Sequence, residues 1–358
     1  MNANHQAAAS MIRHGARALA AYAARDLLET QPGAGTQFGA DAFPVWQDWL
    51  AARLGELSSA VAARQPRRFT ENAREAKAVF ESRGVSSDHL RLGLECLRNV
   101  LTRELPDEMQ DEPADYLRQA LEESAESSAD FAASLLPDTP HGRLAAAYLL
   151  AVLEGDRQRA VQLILDAAQH VESVRDLYLR VLVPAQAEMG RMWIANEINV
   201  AEEHLATATT KIVLSRLRPY ATSQAPLGKT FVVASVAGNQ HDLGPQIVAD
   251  FFEMDGWQVI PLGADMPVAD LVQAVEFFHA DLLGLSVSVS SQLAVLQATI
   301  AAVRNSPSGG YVKILVGGPA LAHSGDLPRE LGADGYAATA AEAVAVGRQL
   351  VGLPAACG

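Results

Sequence analysis

Asn239-Gln240-His241-Asp242-Leu243-Gly244 lies between an apolar run, Thr230 to Ala237, and a helix-like one, Pro245 to Glu253. That context makes His241 a loop residue at the carboxyl end of a strand, where open α/β sheets bind ligands. Two further strand ends follow: an apolar run closes on Ser286-Val287-Ser288 roughly forty residues on, and another on Gly317-Gly318 about thirty residues later. A second group precedes them. The segment from Glu188 to His204 joins two helices by a short turn, with Trp193 near the end of the first helix and Glu203-His204 in the opening turns of the second. Facing helices of a bundle can hold an indole, a carboxylate and an imidazole close together. Taken singly, each has a plainer reading: Trp193 as core, Glu203-His204 as a solvated pair, and His241 as the helix cap of a flavodoxin-like domain.

The elements that must position these groups fall into three parts. Residues 1–133 show helical spacing of apolar residues in Ala18 to Leu28, Trp46 to Val61, Phe69 to Phe80, His89 to Leu101 and Tyr116 to Leu121. This predicts an all-helical bundle punctuated at Gly33 to Gly35, Gln65-Pro66 and Pro106-Asp107. A serine-rich, acidic stretch with two prolines, Glu122 to Pro140, reads as the connection to a second bundle over 138–222. Its helices are expected at Leu144–Leu153, Ala160–His170, Val174–Trp193 and Ala201–Leu217, the last capped by Asn199 with Glu202 as capping-box partner. Over 229–354, strands at Thr230–Ala237, Gln258–Pro261, Leu282–Ser286 and Val312–Val316 alternate with helices. Such alternation predicts a parallel, doubly wound, Rossmann-like (flavodoxin-like) sheet.

The bulk composition narrows the partners. The chain has 358 residues and a net charge of −14, which disfavours broad attraction to DNA or anionic membrane. Its compact basic group, Arg64 to Arg68, is broken by Pro66 and reads as a helix junction rather than a DNA-reading helix. Cys96 and Cys357 lack metal-ligand spacing and suit a reducing cytoplasm. The absence of a signal peptide pattern or an apolar run of membrane-spanning length points the same way.

The three strand-end motifs resemble those of cobalamin-binding domains, whose signature is D-x-H-x-x-G, then S-x-L, then G-G. The resemblance implies that His241 ligates cobalt from the lower face in place of the cofactor's own dimethylbenzimidazole. It implies further that Gly244 admits the displaced nucleotide tail, that Ser286 and Ser288 line its slot, and that Gly317-Gly318 lets backbone pass beside it. Asn239 and Asp242 belong to the same loop. Asn239 replaces the usual Asp and Val287-Ser288 replaces x-Leu; an uncharged acceptor for the imidazole N–H predicts weaker or conditional donation to cobalt.

The bundle segment, G-x-x-W followed by E-E-H-L-A-T, is similar to the cap of light-sensing adenosylcobalamin proteins, the CarH-type repressors and their relatives. This resemblance implies that Trp193 packs over the 5′-deoxyadenosyl group and that Glu203 and His204 contact its sugar and base. Those repressors carry a histidine directly after the tryptophan, whereas this chain has Ile194, so His204 or water would have to complete a light state. They also begin with a winged-helix DNA-binding domain, which is not legible in 1–133. A helical front part resembles instead the photocobilins, which hold biliverdin beside adenosylcobalamin, and Cys96 is either its attachment point or a core residue.

The expectation is therefore a non-enzymatic light sensor. Photolysis of the Co–C bond would shift the cap and a homo-oligomeric state, with output to an unidentified effector. One alternative is a corrinoid methyl-carrier subunit of a methyltransferase system, which needs a small upper pocket; another is a light-independent cobalamin-sensing regulator. A mutase would require a barrel of eight strand-helix units, which is not found here.

Overall fold

The computed structural model describes residues 4–36, 38–126, 136–170, 173–322 and 324–355. Residues 127–135 of the expected connection between the bundles, and Cys357, lie outside the described residues, while the start of that connection is helical to Glu126. Contacts along the chain divide it into two units, Met1–Ala133 with Ile194–Glu197, and Ser134–Trp193 with Ile198–Gly358.

The first unit is helical: α1 (Asn4–Thr30), α2 (Ala42–Ala63), α3 (Pro66–Ser82), α4 (Ser87–Glu104) and α5 (Asp111–Glu126). Helix α1 buries Ile12, Leu19, Ala20, Ala23, Ala24 and Leu27, a stripe three to four residues apart whose alanines let α2 approach closely. Arg64 ends α2 in the left-handed conformation and Pro66 opens α3, so the basic group marks a junction, as its proline predicts. Trp46 is fully buried, donates Nε1–H to the Ala34 carbonyl at 2.9 Å and meets Phe38, Trp49 and Phe80 edge-on or tilted. Cys96 packs half-buried against this core. Burial pushes its thiol up to about 11, which keeps it protonated at neutral pH and withholds the thiolate that a covalent linkage would use.

The second unit opens with α6 (Pro140–Leu153) and α7 (Arg157–His170). The single helix expected over Val174–Trp193 is α8 (Val174–Leu177), a π-helical turn (Tyr178–Leu182) and α9 (Val183–Ile194). Pro184 accounts for the widened turn, because it lacks the N–H that would bond one turn back and its ring crowds that carbonyl. Helix α10 (Val200–Leu217) begins with the expected capping box: Asn199 Oδ1 accepts from the amides of Ala201 and Glu202, and Glu202 accepts from the Asn199 amide.

The sheet part follows as β1 (Thr230–Val236), α11 (Leu243–Met254), β2 (Gln258–Met266), α12 (Val268–Phe277), β3 (Leu282–Ser286), α13 (Leu293–Arg304), β4 (Lys313–Gly317), α14 (Leu327–Glu330), β5 (Gly335–Ala337) and α15 (Ala340–Leu350). All strands are parallel, in the order β2-β1-β3-β4-β5. The sequence pattern stopped β2 at Pro261, whereas it runs to Met266, with Pro261 paired to Val233 and register shifts on either side of the Ala234–Gly263 pair. It missed β5, a three-residue strand too short to show alternation. In this order the chain leaves β1 towards β2 on one side and leaves β3 towards β4 on the other, so a crevice opens between the carboxyl ends of β1 and β3.

One apolar cluster runs from Tyr148, Tyr178 and Leu214 of the helices through Phe251 and Phe252 of α11 to Phe231 of β1. The four-helix cap and the sheet therefore share a core.

Candidate functional site

His241 sits in the β1–α11 loop, and its position is set by Asn239, which is completely buried. Asn239 Oδ1 accepts from the His241 amide at 3.1 Å and lies 3.2 Å from His241 Nδ1. With the proton on Nδ1, the remaining nitrogen, Nε2, keeps its lone pair for a metal. The plainer reading of His241 as a helix cap does not hold, since the N-cap of α11 is Asp242 and no side chain caps that end.

The departure from aspartate has a local reason. Asn239 Nδ2 donates to the Ser286 carbonyl at 3.1 Å, tying the β1 loop to the end of β3. A carboxylate cannot donate, and would face that carbonyl from a buried position.

Several groups that sequence reasoning passed over brace the same loop. Asp265, at the end of β2 in the left-handed conformation, accepts from the Gly238 amide at 2.6 Å and from Gln240 Nε2 at 3.1 Å. Ser235 Oγ donates to the His241 carbonyl at 2.7 Å, and buried Gln292 reaches the Gly238 carbonyl. A polar residue at the carboxyl end of β2 was a legible signal for Asp265, had that strand been read to its full length. Gln292 carried none.

Ser286 and Ser288 are half-buried at the end of β3 beside fully buried Val287. The glycine pair acts at closer range than the resemblance implied. Gly318 adopts φ +106°, and a Cβ there would stand 2.2 Å from the Val287 carbonyl oxygen. Its first task is thus to let the β3 and β4 loops touch. A Cβ at Gly244 would meet nothing within 4 Å, so the space there is open.

The cap supplies the other wall. On α10, Glu203 Oε1 accepts from Thr207 at 2.8 Å and Glu203 Oε2 lies 2.6 Å from His204 Nδ1. His204 is otherwise largely exposed, its side chain at 73%. One and two turns along the same face come Thr207 and Lys211, and Lys211 Nζ meets both carboxylate oxygens of Asp242 at 2.7–2.8 Å. The polar face of α10 therefore leads from the Glu203-His204 pair to the residue after His241. Trp193 lies at the end of α9, half-buried against the shared core.

Beneath this wall, Tyr178 of the π-helical turn donates to Asp250 Oδ2 at 2.8 Å, and Gln246 Nε2 donates to Oδ1 at 2.9 Å. Arg218 pairs with Glu253 and lies 3.9 Å from Asp250. Burial raises the Asp250 carboxyl above its usual range, although the hydrogen bonds and Arg218 oppose that rise.

Among the described residues no group of three His, Cys, Asp or Glu is placed to hold an ion. A metal at His241 would have to bring its other ligands with it, as a macrocyclic complex does. The crevice, the open space at Gly244 and the exposed imidazole of His241 fit such a group.

Residues 229–345 match the family model described as B12 binding domain, and residues 144–218 match a second B12 binding domain model. This part of the chain is a cobalamin-binding module. The dimethylamine corrinoid protein of Methanosarcina barkeri is 29% identical to it over 170 residues, covering 47% of this chain and 76% of that protein. A corrinoid protein of Desulfitobacterium hafniense is 26% identical over 206 residues, covering 56% of this chain and 94% of that one. In fold, the module is similar to the solved monomethylamine corrinoid protein of M. barkeri, with a TM-score of 0.51 at 19% identity over 57% of this chain and 96% of that chain. Among the described residues no helix is long and apolar enough to cross a membrane.

Proposed function

We propose that the chain is a corrinoid methyl-carrier protein, holding cobalamin between cap and sheet with His241 as the lower ligand of cobalt. The observation that carries this is buried Asn239 holding the exposed imidazole of His241 beyond the carboxyl end of β1, in a module whose relatives include a dimethylamine corrinoid protein. When bound, the corrinoid supplies a cobalt–carbon bond that can be made and broken. Asn239 orients the imidazole, Ser286 and Ser288 border the slot for the nucleotide tail, and Gly244 leaves its mouth open. The cap shields the upper face, and Lys211–Asp242 joins it to the histidine loop.

A second reading, an adenosylcobalamin light sensor, is favoured by one observation: the Glu203, His204 and Thr207 cluster on α10, offering hydrogen-bond partners suited to a sugar. The separate helical unit ahead of the matched models would then be a sensory partner, with biliverdin as its candidate chromophore and a homo-oligomer as its output. On the carrier reading, the same unit serves contact with a partner protein.

The test is retention of methyl-, hydroxo- and adenosylcobalamin by the full chain in darkness, with and without biliverdin, followed by spectra and molar mass before and after green light. The carrier reading expects methyl- and hydroxocobalamin to be kept at least as well as adenosylcobalamin, and no change of mass on illumination. Selective retention of adenosylcobalamin with a light-driven change of mass would replace it by the sensor. Retention of none would sink both.

A further inference from the structure

Gln292 stands just before α13, is 8% exposed, and spends its side chain on two loops at once. Its Oε1 accepts from the amides of Ser288 at 2.9 Å and Val289 at 3.2 Å, which holds the loop after β3. Its Nε2 donates to the carbonyl of Gly238 at 3.1 Å, three residues before His241 and 54 residues away in sequence. Asn239 makes the reciprocal connection, reaching from the β1 loop to the Ser286 carbonyl. Two buried carboxamides therefore cross one gap in opposite directions.

We propose that Gln292 is a positioning residue that sets the separation of the His241 loop from the Ser286–Val289 loop, and with it the alignment of the imidazole in the crevice. The proposal rests on the reading of His241 as a cobalt ligand. The key lies at Gly238, whose φ of +79° and missing side chain leave its peptide free to turn unless it is held. Asp265 fixes the amide side of that residue and Gln292 fixes its carbonyl. Capping alone would not require glutamine, since a carboxylate accepts both amides equally well; only the bridge needs an N–H donor. Three of the four hydrogen-bonding positions of the carboxamide are filled, and the bridging one points at the histidine loop.

Gln292→Glu separates the two tasks, because it keeps the acceptors and removes the donor. Gln292→Met removes both without adding charge. The parent and both variants, labelled with 15N-histidine, are loaded with hydroxocobalamin, reduced to the cobalt(II) form and examined by electron paramagnetic resonance. The fraction showing a histidine nitrogen on cobalt is read beside the thermal midpoint of the unloaded protein and amide exchange over Gly238–His241. Loss of one neutral hydrogen bond predicts a drop of about fivefold in the ratio of histidine-bound to unbound cobalt, with faster exchange over that segment. In Gln292→Glu the midpoint should fall, because a buried carboxylate then faces the Gly238 carbonyl, and Gln292→Met, which adds no charge, carries the same reading. Parent-like ratios in a folded variant would overturn the positioning role and leave His241 as the ligand. A parent that binds cobalamin without a histidine nitrogen would overturn the ligand reading itself, and the proposal with it.

Discussion

Asn239 donates its side-chain amide to the carbonyl of Ser286 at 3.1 Å while the same side chain accepts from the backbone of His241. One uncharged residue thus links the strand ends that border the crevice, a link that aspartate could not make while ionised. Asn239→Asp is expected to act in opposite directions: to destabilise the unloaded protein by about 1–3 kcal/mol through a buried acceptor facing a carbonyl, and to strengthen histidine donation to cobalt. Urea unfolding and the histidine-bound fraction measure the two effects. An Asp variant as stable as the parent would remove the explanation for the departure.

His241→Ala should lower cobalamin retention about tenfold or more, in line with the loss of a metal ligand or its support. Equilibrium dialysis with hydroxocobalamin gives the affinity, and unaltered binding would end the ligand assignment.

Gly318→Ala places a methyl group against the Val287 carbonyl at a φ that L-residues rarely adopt. The expected cost is about 1–3 kcal/mol of backbone strain, and more if the β3 loop cannot yield. Denaturant unfolding should register it, whereas Gly244→Ala, with open space at its Cβ, should leave stability nearly unchanged.

Asp250→Asn tests the anchor between cap and α11. The folded-state carboxyl value is raised, chiefly by burial, so the folded state binds more protons than the unfolded one as pH rises from the ordinary carboxylate range through that raised value. Stability contributed by the protonated form is present at lower pH and is lost across that window. The variant should therefore melt higher than the parent near neutrality, with its advantage shrinking as pH falls. An advantage that grows on acidification would show that the pairing with Arg218 and Tyr178 outweighs burial.

Trp193→Ala is expected to change the preference between adenosyl- and methylcobalamin by about fivefold, the scale of one aromatic contact, without altering the histidine-bound fraction. An unchanged preference would take Trp193 out of the upper pocket.

What could be read in the chain was whatever lies in a local pattern. Helical spacing predicted the helices of both bundles, the Asn199–Glu202 capping box appeared as expected, and the strand runs ahead of His241 and those closing on Ser286 and Gly317 are strands of one sheet. Hydrophobic periodicity and capping act over a few residues, so the residues themselves carry them. Tertiary structure decided which distant groups meet: Lys211 with Asp242, Tyr178 with Asp250, Gln292 with Gly238, and Gly318 with the Val287 carbonyl. None of these pairs has a spacing rule, because each is created by parallel strands and a helical cap that bring segments from 31 to 72 residues apart into hydrogen-bond range, or, at Gly318, by two neighbouring strand ends. The short strand β5 and the π-helical turn were settled the same way, by pairing with β4 and by accommodating Pro184 within a packed bundle.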